Sequence, residues 1–553
     1  MFLPHLAQSF LPYTNPLGMG PADLIELALA AVLLLFALVW RPCIEPYAIR
    51  LAEKPGWPIL LLAALPVALR LILLPRHPAP APVIYDEFSH LLVADTLRHF
   101  RLANPAHPMH RFFETFFVLQ EPTYSSIYPV GQGIALAIGW MIFGTPWAGV
   151  VIAIAALCAL IYWMLRGWTT PGWALAGGAL AVMEFGPVNQ WMNSYWGGAL
   201  PAAAGCLVFG ALPRLRREWS LRNAVLLGAG LAIHLLARPY ESICLLLCVL
   251  LYLLPVWRQA IKPLLVAGLV VLPAIGLTLL QNKQVTGNWT TLPYALSQYQ
   301  YGVPAALTFL PNPVPHRQLT REQELDYKMQ LSFRGDHPET VGSYLLRLAY
   351  RIRYYRFFFM PPLYLALPFF FLALRERRFW WVMLWPLIFA LGVNFFPAFQ
   401  YHYVAAMTCL YLLIAVTGLQ QLGRFIPLAA RIVFLLCVAQ FAFEYGLHAV
   451  SRDPWSLALL NPERRVAVNA QLGQAPGKQL VFVRYWPAHI FQDEWVYNAA
   501  DIDAARIVWA RDLGDAENQK LIRHYPDRTV WLLEPDARPV KLTPYGAAPP
   551  AQS

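Results

Sequence analysis

"VGQGIALAIGWMIFG", Val130 to Gly144, is the run on which the topology of this chain turns. It is apolar and free of charge, and it competes for membrane status with twelve longer runs. Those lie near 22–40, 58–75, 147–165, 171–187, 196–212, 221–237, 241–257, 262–280, 357–374, 379–396, 403–419 and 425–445. A bilayer core takes about 20 mostly apolar residues as helix, with roughly 17 as a lower limit. If Val130–Gly144 stays out of the membrane, Arg41, Arg50 and Lys54, Arg166, "PRLRREWSLR" at Pro213–Arg222, Arg258 and Lys262, "RERR" at Arg375–Arg378, and Arg424 share one side. Basic residues mark cytoplasmic loops. If the run crossed, the basic loop at 41–54 would lie opposite the later clusters. It therefore reads as a short juxtamembrane helix, and both termini, the loops 76–146 and 281–356 and the tail face outward.

Composition agrees with a polytopic α-helical membrane protein. Hydrophobic residues make up 58% of the 553 and charged ones 13%, against roughly 25% charged in soluble domains. The net charge of +11 lies wholly in the membrane part, because Arg452–Lys541 holds 12 basic and 12 acidic side chains. Nucleic acid therefore does not explain the basic balance, and the cytoplasmic bias of Lys and Arg does. Cys43, Cys158, Cys206, Cys244, Cys248, Cys409 and Cys437 all lie in or beside apolar segments, so no disulfide framework is expected. Residues 1–21 lack Lys and Arg, and no cleavage site follows, so the first apolar run is expected to remain as a span.

The chain divides into 1–57, an extra span and basic loop; 58–445, the main membrane part; and an outward tail at 446–553. In the tail "QLVFVRYW" (Gln479–Trp486), "ARIVWAR" (Ala505–Arg511) and "RTVWLLE" (Arg528–Glu534) read as buried strands, with a helix over Gly514–Tyr525. This predicts a small α/β domain. It has no glycine-rich nucleotide motif.

The chemistry concentrates in "VIYDEFSHLLVADTL", Val83–Leu97, about ten residues past the second span. Asp86 and Glu87 sit there with no basic neighbour, and His90 follows Asp86 by four, one helical turn on. Phe88, Leu91 and Leu92 form an apolar face suited to lying along the interface. A carboxylate at the bilayer boundary is partly desolvated, which raises its pKa and fits a general base. The plainer role for both acids is to cap the positive end of that helix. Later in the same loop, "EPTYSSIYPVGQG" (Glu121–Gly133) brings Tyr124 and Tyr128 to a proline and glycine entry. No metal is required by this reading. His107, His110 and Glu114 do have ligand-like spacing, and with Asp86, Glu87 and His90 would make an oxygen-rich site, although Pro108 interrupts the first pair.

The order of these features, a span, an acidic pair, a polar loop, a Tyr-Pro-Gly entry and then many spans, resembles the polytopic glycosyltransferases of the C superfamily. The likeness is strongest to the branch of protein O-mannosyltransferases and lipid A aminoarabinose transferases. It implies a polyprenyl-phosphate sugar donor, with Asp86 activating the acceptor and Glu87 beside it. The family's double proline appears here as "YPVG", with Val130 in the second place. On this scheme Arg238 in "ARPYES" (Ala237–Ser242), with Tyr240, is a candidate for the donor phosphate, and equally for a pair with Glu241 or a lipid headgroup. His402 and Tyr403 in "FQYHY" (Phe399–Tyr403) stand near the donor. Tyr195 and Trp196 in "NQWMNSYWGG" (Asn189–Gly198) are suited to stacking on a sugar, and equally to anchoring at the interface. The expected partners are a lipid-linked sugar, membrane lipid and a glycan, lipid or protein acceptor, in a bacterial inner membrane with loops and tail in the periplasm. The alternatives are a flippase for a lipid-linked glycan, or a non-catalytic envelope assembly protein. The first usually carries charges within spans, whereas here the polar chemistry lies in external loops.

Overall fold

The apolar runs become helices that pack as a bundle, as the hydropathy requires. The computed structural model describes residues 45–335 and 339–546, with scattered positions between 28 and 39. The expected span at 22–40 otherwise lies outside the described residues. The first half of the bundle comprises α1 (Gly56–Leu73), α2 (Tyr85–Arg98), α3 (Val130–Phe143), α4 (Trp147–Leu165), α5 (Pro171–Phe185) and α6 (Ala199–Arg217). Next come α7 (Leu221–Ala237), α8 (Pro239–Leu253) and α9 (Trp257–Thr286). The second long loop holds α10 (Pro293–Tyr301), α11 (Arg321–Arg334) and α12 (Val341–Arg351). The second half of the bundle is α13 (Arg378–Val393), α14 (Thr408–Phe425) and α15 (Pro427–Val450).

Among the described residues, five helical stretches are long and apolar enough to cross a membrane: Gly56–Leu73, Trp147–Leu165, Pro239–Thr286, Tyr401–Phe425 and Pro427–Val450. The third has 48 residues, far more than the roughly 20 that one crossing takes, and it folds back on itself. A Cβ on Gly228 of α7 would meet Ala267 and Val270 of α9, and Gly131 abuts Leu236 while Gln281 donates to the nearby Tyr128 carbonyl. So α7 and α9 run parallel, and α8, which follows α7 directly, runs between their ends in the opposite sense.

Two expectations about spans resolve differently. The run at 357–374 is not one helix: it breaks into 3-10 turns over Pro361–Leu365 and Leu367–Phe369 and one α turn at Phe370–Ala373. Pro361, Pro362 and Pro368 remove the N–H donors a continuous ladder needs, so hydropathy alone overstates the regular helices. Val130–Phe143 does form a short helix that starts and ends at the same end of the bundle. Its first turn abuts the end of α7. It closes at Gly144 (φ 73°), and Trp147, just beyond, donates to Met192 O at 2.8 Å in the Asn189–Gly198 hairpin.

The basic loops gather at the opposite end. Tyr162 and Arg166 both donate to Ala52 O (2.8 and 3.0 Å), Arg214 donates to Trp163 O at 2.7 Å, and Arg217 reaches Gly167 O at 3.3 Å.

The tail builds a sheet, after three short strands in the first loop, β1 (Asn104–Pro105), β2 (Val118–Leu119) and β3 (Thr123–Ser126). Its strands are β4 (Lys478–Val483), β5 (Ile507–Arg511), β6 (Arg528–Glu534) and β7 (Lys541–Pro544), in the order β5-β4-β6-β7, parallel except for β7. Helices α16 (Glu463–Gln474) and α17 (Asp515–His524) flank it. This is the α/β unit read from the sequence. Its core is shared: Leu92, Phe112, Phe113 and Tyr124 of the first loop pack with Leu480, Phe482 and Val508 of the tail.

Arg511 fixes the tail to both loops. Its buried guanidinium donates to Glu114 O and to Glu322 of α11, each at 2.6 Å, and to Glu494 of the tail itself. Removing one partner of a buried charge pair costs about 3–5 kcal/mol. Arg511→Ala is therefore expected to loosen the tail, seen as trypsin cleavage at Arg452 or Arg464 at temperatures where the wild type resists. An unchanged digestion pattern would show that apolar contacts alone hold it.

Candidate active site

Helix α2 starts where Ile84 is still extended (φ −93°, ψ 143°). Its first N–H groups have no intrahelical partner. Glu87, at the third helical position, reaches back: Oε2 accepts from Val83 N at 2.9 Å and Ile84 N at 3.1 Å. Its other oxygen accepts from Tyr195 N at 2.9 Å. Glu87 thus ties the start of α2 to the Asn189–Gly198 hairpin. That hairpin is also held by Arg70 of α1, whose Nε donates to Asn193 Oδ1 at 2.8 Å. Burial pushes the Glu87 carboxyl up, and the three backbone donors oppose this.

Asp86, on the next face of α2, accepts chiefly from a side chain. The Tyr128 hydroxyl donates to Oδ1, and the Trp196 indole is near enough to oppose the rise in the carboxyl's pKa. Burial raises the Asp86 pKa to about 6 against these contacts and the Arg238 charge. One turn on, the His90 ring stacks on Tyr128 at 4.2 Å between centroids, and its Nδ1 is buried without a hydrogen-bond partner. Burial, with Arg238 nearby, holds the His90 pKa down to about 3, so the ring is neutral at physiological pH.

Arg238 occupies the break between α7 and α8, with φ −144° and ψ 77°. Its guanidinium lies over the Tyr403 ring at 5.3 Å and 4.0 Å from Glu241. His402 is buried against Trp196, with centroids 4.9 Å apart. The structure thus brings together Asp86, His90, Tyr128, Trp196, Arg238, His402 and Tyr403 from five separate segments.

Other sequence candidates stand elsewhere. Tyr124 donates to Asn498 O at 3.1 Å in the core shared with the tail. Tyr195 donates to Pro80 O at 2.8 Å, and Tyr240 to Gly392 O at 2.9 Å. The spaced set of His107, His110 and Glu114 does not converge. Glu114 is held by Arg317 at 2.7 Å and Tyr301 at 3.0 Å, and Arg317 also donates to His110 Nδ1 at 3.0 Å. His107 lies instead with Asp503 and His524, their ligand atoms within 4.8 Å of one another. There His107 Nδ1 accepts from Met109 N at 2.9 Å, so Nε2 carries the proton and faces Asp503 at 3.2 Å. That tautomer forms a hydrogen bond rather than a metal bond.

Helix α2 does not lie on an open interface as its apolar face predicts. The tail covers it: Phe88 stacks flat on Tyr497 at 4.3 Å, Arg465 lies over Phe88 at 4.6 Å, and Asp95 Oδ2 accepts from Ala500 N at 2.8 Å. Sequence reasoning also missed Asp326 on α11. It is fully buried, accepts from Gln330 at 3.0 and 3.1 Å, and no cation pairs with it among the described residues. Burial pushes its pKa up to about 7, with Gln330 opposing and the Asp86 charge adding to the rise. The spacing of Glu322, Gln323, Asp326 and Gln330 along one face of α11 was the available signal.

No protein-family model and no curated protein matches the chain. Among solved structures it is similar to ArnT from Cupriavidus metallidurans in the apo state, with 13% identity and a TM-score of 0.48 over 87% of this chain and 93% of that one. The same enzyme bound to undecaprenyl phosphate gives 13% and 0.48 over 86% and 93%. The apo oligosaccharyltransferase of Archaeoglobus fulgidus gives 12% and 0.41 over 87% and 69%.

Replacing Glu87 by Ala strands one buried N–H group, that of Tyr195, at about 1–3 kcal/mol, and leaves the half-buried Val83 and Ile84 N–H groups without their acceptor. Glu87→Ala should lower the melting temperature more than Asp86→Ala, whose chief lost donor is a side chain free to reorient. Equal melting temperatures would remove Glu87 from its anchoring role.

Proposed function

We propose that this chain is a membrane glycosyltransferase. It moves a hexosyl or pentosyl group from a polyprenyl-phosphate carrier to an acceptor hydroxyl at the outward face, with inversion. The observation that carries this reading is Asp86, a buried carboxylate held by Tyr128, raised toward neutrality, and grouped with a loosely paired arginine. The match of Asp86 and Glu87 to the acidic motif of the C superfamily supports it.

In the proposed step the acceptor oxygen attacks the anomeric carbon while Asp86 takes its proton. The bond from that carbon to the phosphate oxygen breaks, and its electron pair leaves on the polyprenyl phosphate. A phosphate monoester is a good leaving group, so no general acid is needed. Arg238, 4.0 Å from Glu241, is the cation nearest to hand for the developing charge. Tyr128 carries a hydroxyl whose pKa burial and Asp86 push well up. It therefore stays protonated, orients the Asp86 carboxylate, and leaves that group lone pairs for the acceptor. Neutral His90, with its unpartnered Nδ1, can take a hydroxyl of sugar or acceptor. Glu87 acts through position, because its oxygens already accept three backbone N–H groups.

The reading of sides follows from the basic loops. With Arg166, Arg214 and Arg217 at the cytoplasmic end, the acidic chamber and tail face outward, which in a bacterial inner membrane is the periplasm.

Purified protein with lipid-linked sugars tests the assignment. General-base assistance is worth about 10²–10⁴-fold, so Asp86→Asn should lose that much in kcat. Because a base works when ionised, wild-type kcat/KM should rise with pH through about 6 and level off above it. The slope should vanish in Asp86→Asn. An Asp86→Asn enzyme that transfers sugar at the wild-type rate would sink the reading.

A further inference from the structure

At the basic end of the bundle, far from the acids, a cleft of about 260 Å³ is lined by Arg216, Arg217, Arg377 and Arg378, with Tyr252 and Trp381 among its walls. Helix α6 links the two ends. It starts at Ala199, just past Trp196 of the acidic chamber, and ends at Arg217, 19 residues or roughly 28 Å away. That is about the thickness of a bilayer hydrocarbon core, so the cleft opens at the other membrane boundary.

The arginines there are poorly compensated. Arg378 pairs with Glu376 at 2.8 Å. Arg217 reaches only a carbonyl, Gly167 O, and Arg216 lies over the Tyr252 ring at 4.9 Å. No ion pair holds Arg216, Arg217 or Arg377 among the described residues. Their positions add to the imbalance. Arg216 and Arg217 suit the negative C-terminal end of α6, but Arg377 and Arg378 stand at the start of α13, where the helix dipole disfavours cations. The bias of basic residues toward the cytoplasm explains why arginines lie at this end. It does not explain why two helices aim four of them into one cleft floored by aromatic rings. Guanidinium forks match phosphate oxygens, while the rings flank the apolar neck of an ester. The volume is below the roughly 300–1,000 Å³ of drug-sized sites, which fits a headgroup.

We propose that this cleft is a binding site for a phosphate ester anion, supplied by an anionic lipid headgroup or by a small soluble ester. It does not depend on the transferase reading.

Native mass spectrometry of the protein released from phosphatidylcholine nanodiscs, titrated with phosphatidylglycerol or with glycerol phosphate, separates the two sources. The protein should retain phosphatidylglycerol in preference to phosphatidylcholine, glycerol phosphate, or both. Each arginine at a membrane surface is worth about 1 kcal/mol toward an anionic lipid, so R377A/R378A should bind roughly thirtyfold more weakly. Both residues are exposed, so the melting temperature should not change. R377K/R378K, which keeps the charge but loses the forks, should bind more tightly than R377A/R378A and more weakly than the wild type. Competition by glycerol phosphate would assign a soluble ester, and its failure a lipid headgroup. Wild-type affinity in R377A/R378A, or no preference for either probe over phosphatidylcholine, would overturn the site.

Discussion

Three backbone N–H groups converge on one buried carboxylate, and the acid-bearing end of this molecule is arranged around that contact. Glu87 accepts from Val83, Ile84 and Tyr195, joining segments 108 residues apart in the chain. A buried charge is tolerable only when it is hydrogen-bonded, and Glu87 meets that condition with rigid main-chain donors. Asp86, its neighbour, points about 100° away around the helix and meets the condition chiefly with the Tyr128 hydroxyl, helped by its own backbone N–H. Adjacent acids therefore end in opposite states: one is saturated and fixed, the other held chiefly by a tyrosine, with capacity left to accept another proton.

Enclosure of α2 follows from this. Left on the interface, Asp86 would be only partly desolvated and its pKa raised less than full burial raises it. The tail prevents that through Tyr497 stacked on Phe88 and Asp95 bonded to Ala500 N, and Arg511 locks it there from above. A tail that shares its core with the first loop is part of the chamber wall, and the electrostatics of Asp86 depend on a domain some four hundred residues later in the chain.

What the sequence made legible was whatever breaks a local rule. An acidic pair in an apolar context stands out, as does a lone arginine between two spans, and both Asp86 and Arg238 lie in the chamber. The tail strands were readable because buried parallel strands are near-continuous apolar runs. Residues that obey local rules were not readable. Asp326 sits among other charges of a polar helix, and only its burial distinguishes it from Glu324, which pairs with Lys328 on the open face. Arg511 ends a strand like any surface arginine. Tyr124, Tyr195 and Tyr240 look like Tyr128 in sequence, yet each donates to a backbone carbonyl. The prolines at 361, 362 and 368 were visible, but hydropathy outweighed them in the reading of 357–374.

The two ends of the bundle hold their arginines differently, and the contrast bears on what each can bind. Arg238 is largely buried, and its carboxylate neighbour stands at 4.0 Å, beyond the 2.7–2.9 Å of a charge-assisted hydrogen bond. Glu241 therefore offsets the charge of Arg238 without occupying its donors. A tighter pair would have to be broken before an anion could bind, and a missing one would leave an isolated charge whose desolvation costs several kcal/mol. The intermediate spacing avoids both. At the other end Arg377 and Arg378 are open to water, and the tight pair of Arg378 with exposed Glu376 at 2.8 Å is one that solvent already weakens. A lone, shielded cation suits a charge that appears and disappears during a reaction, and an open cluster suits one that stays.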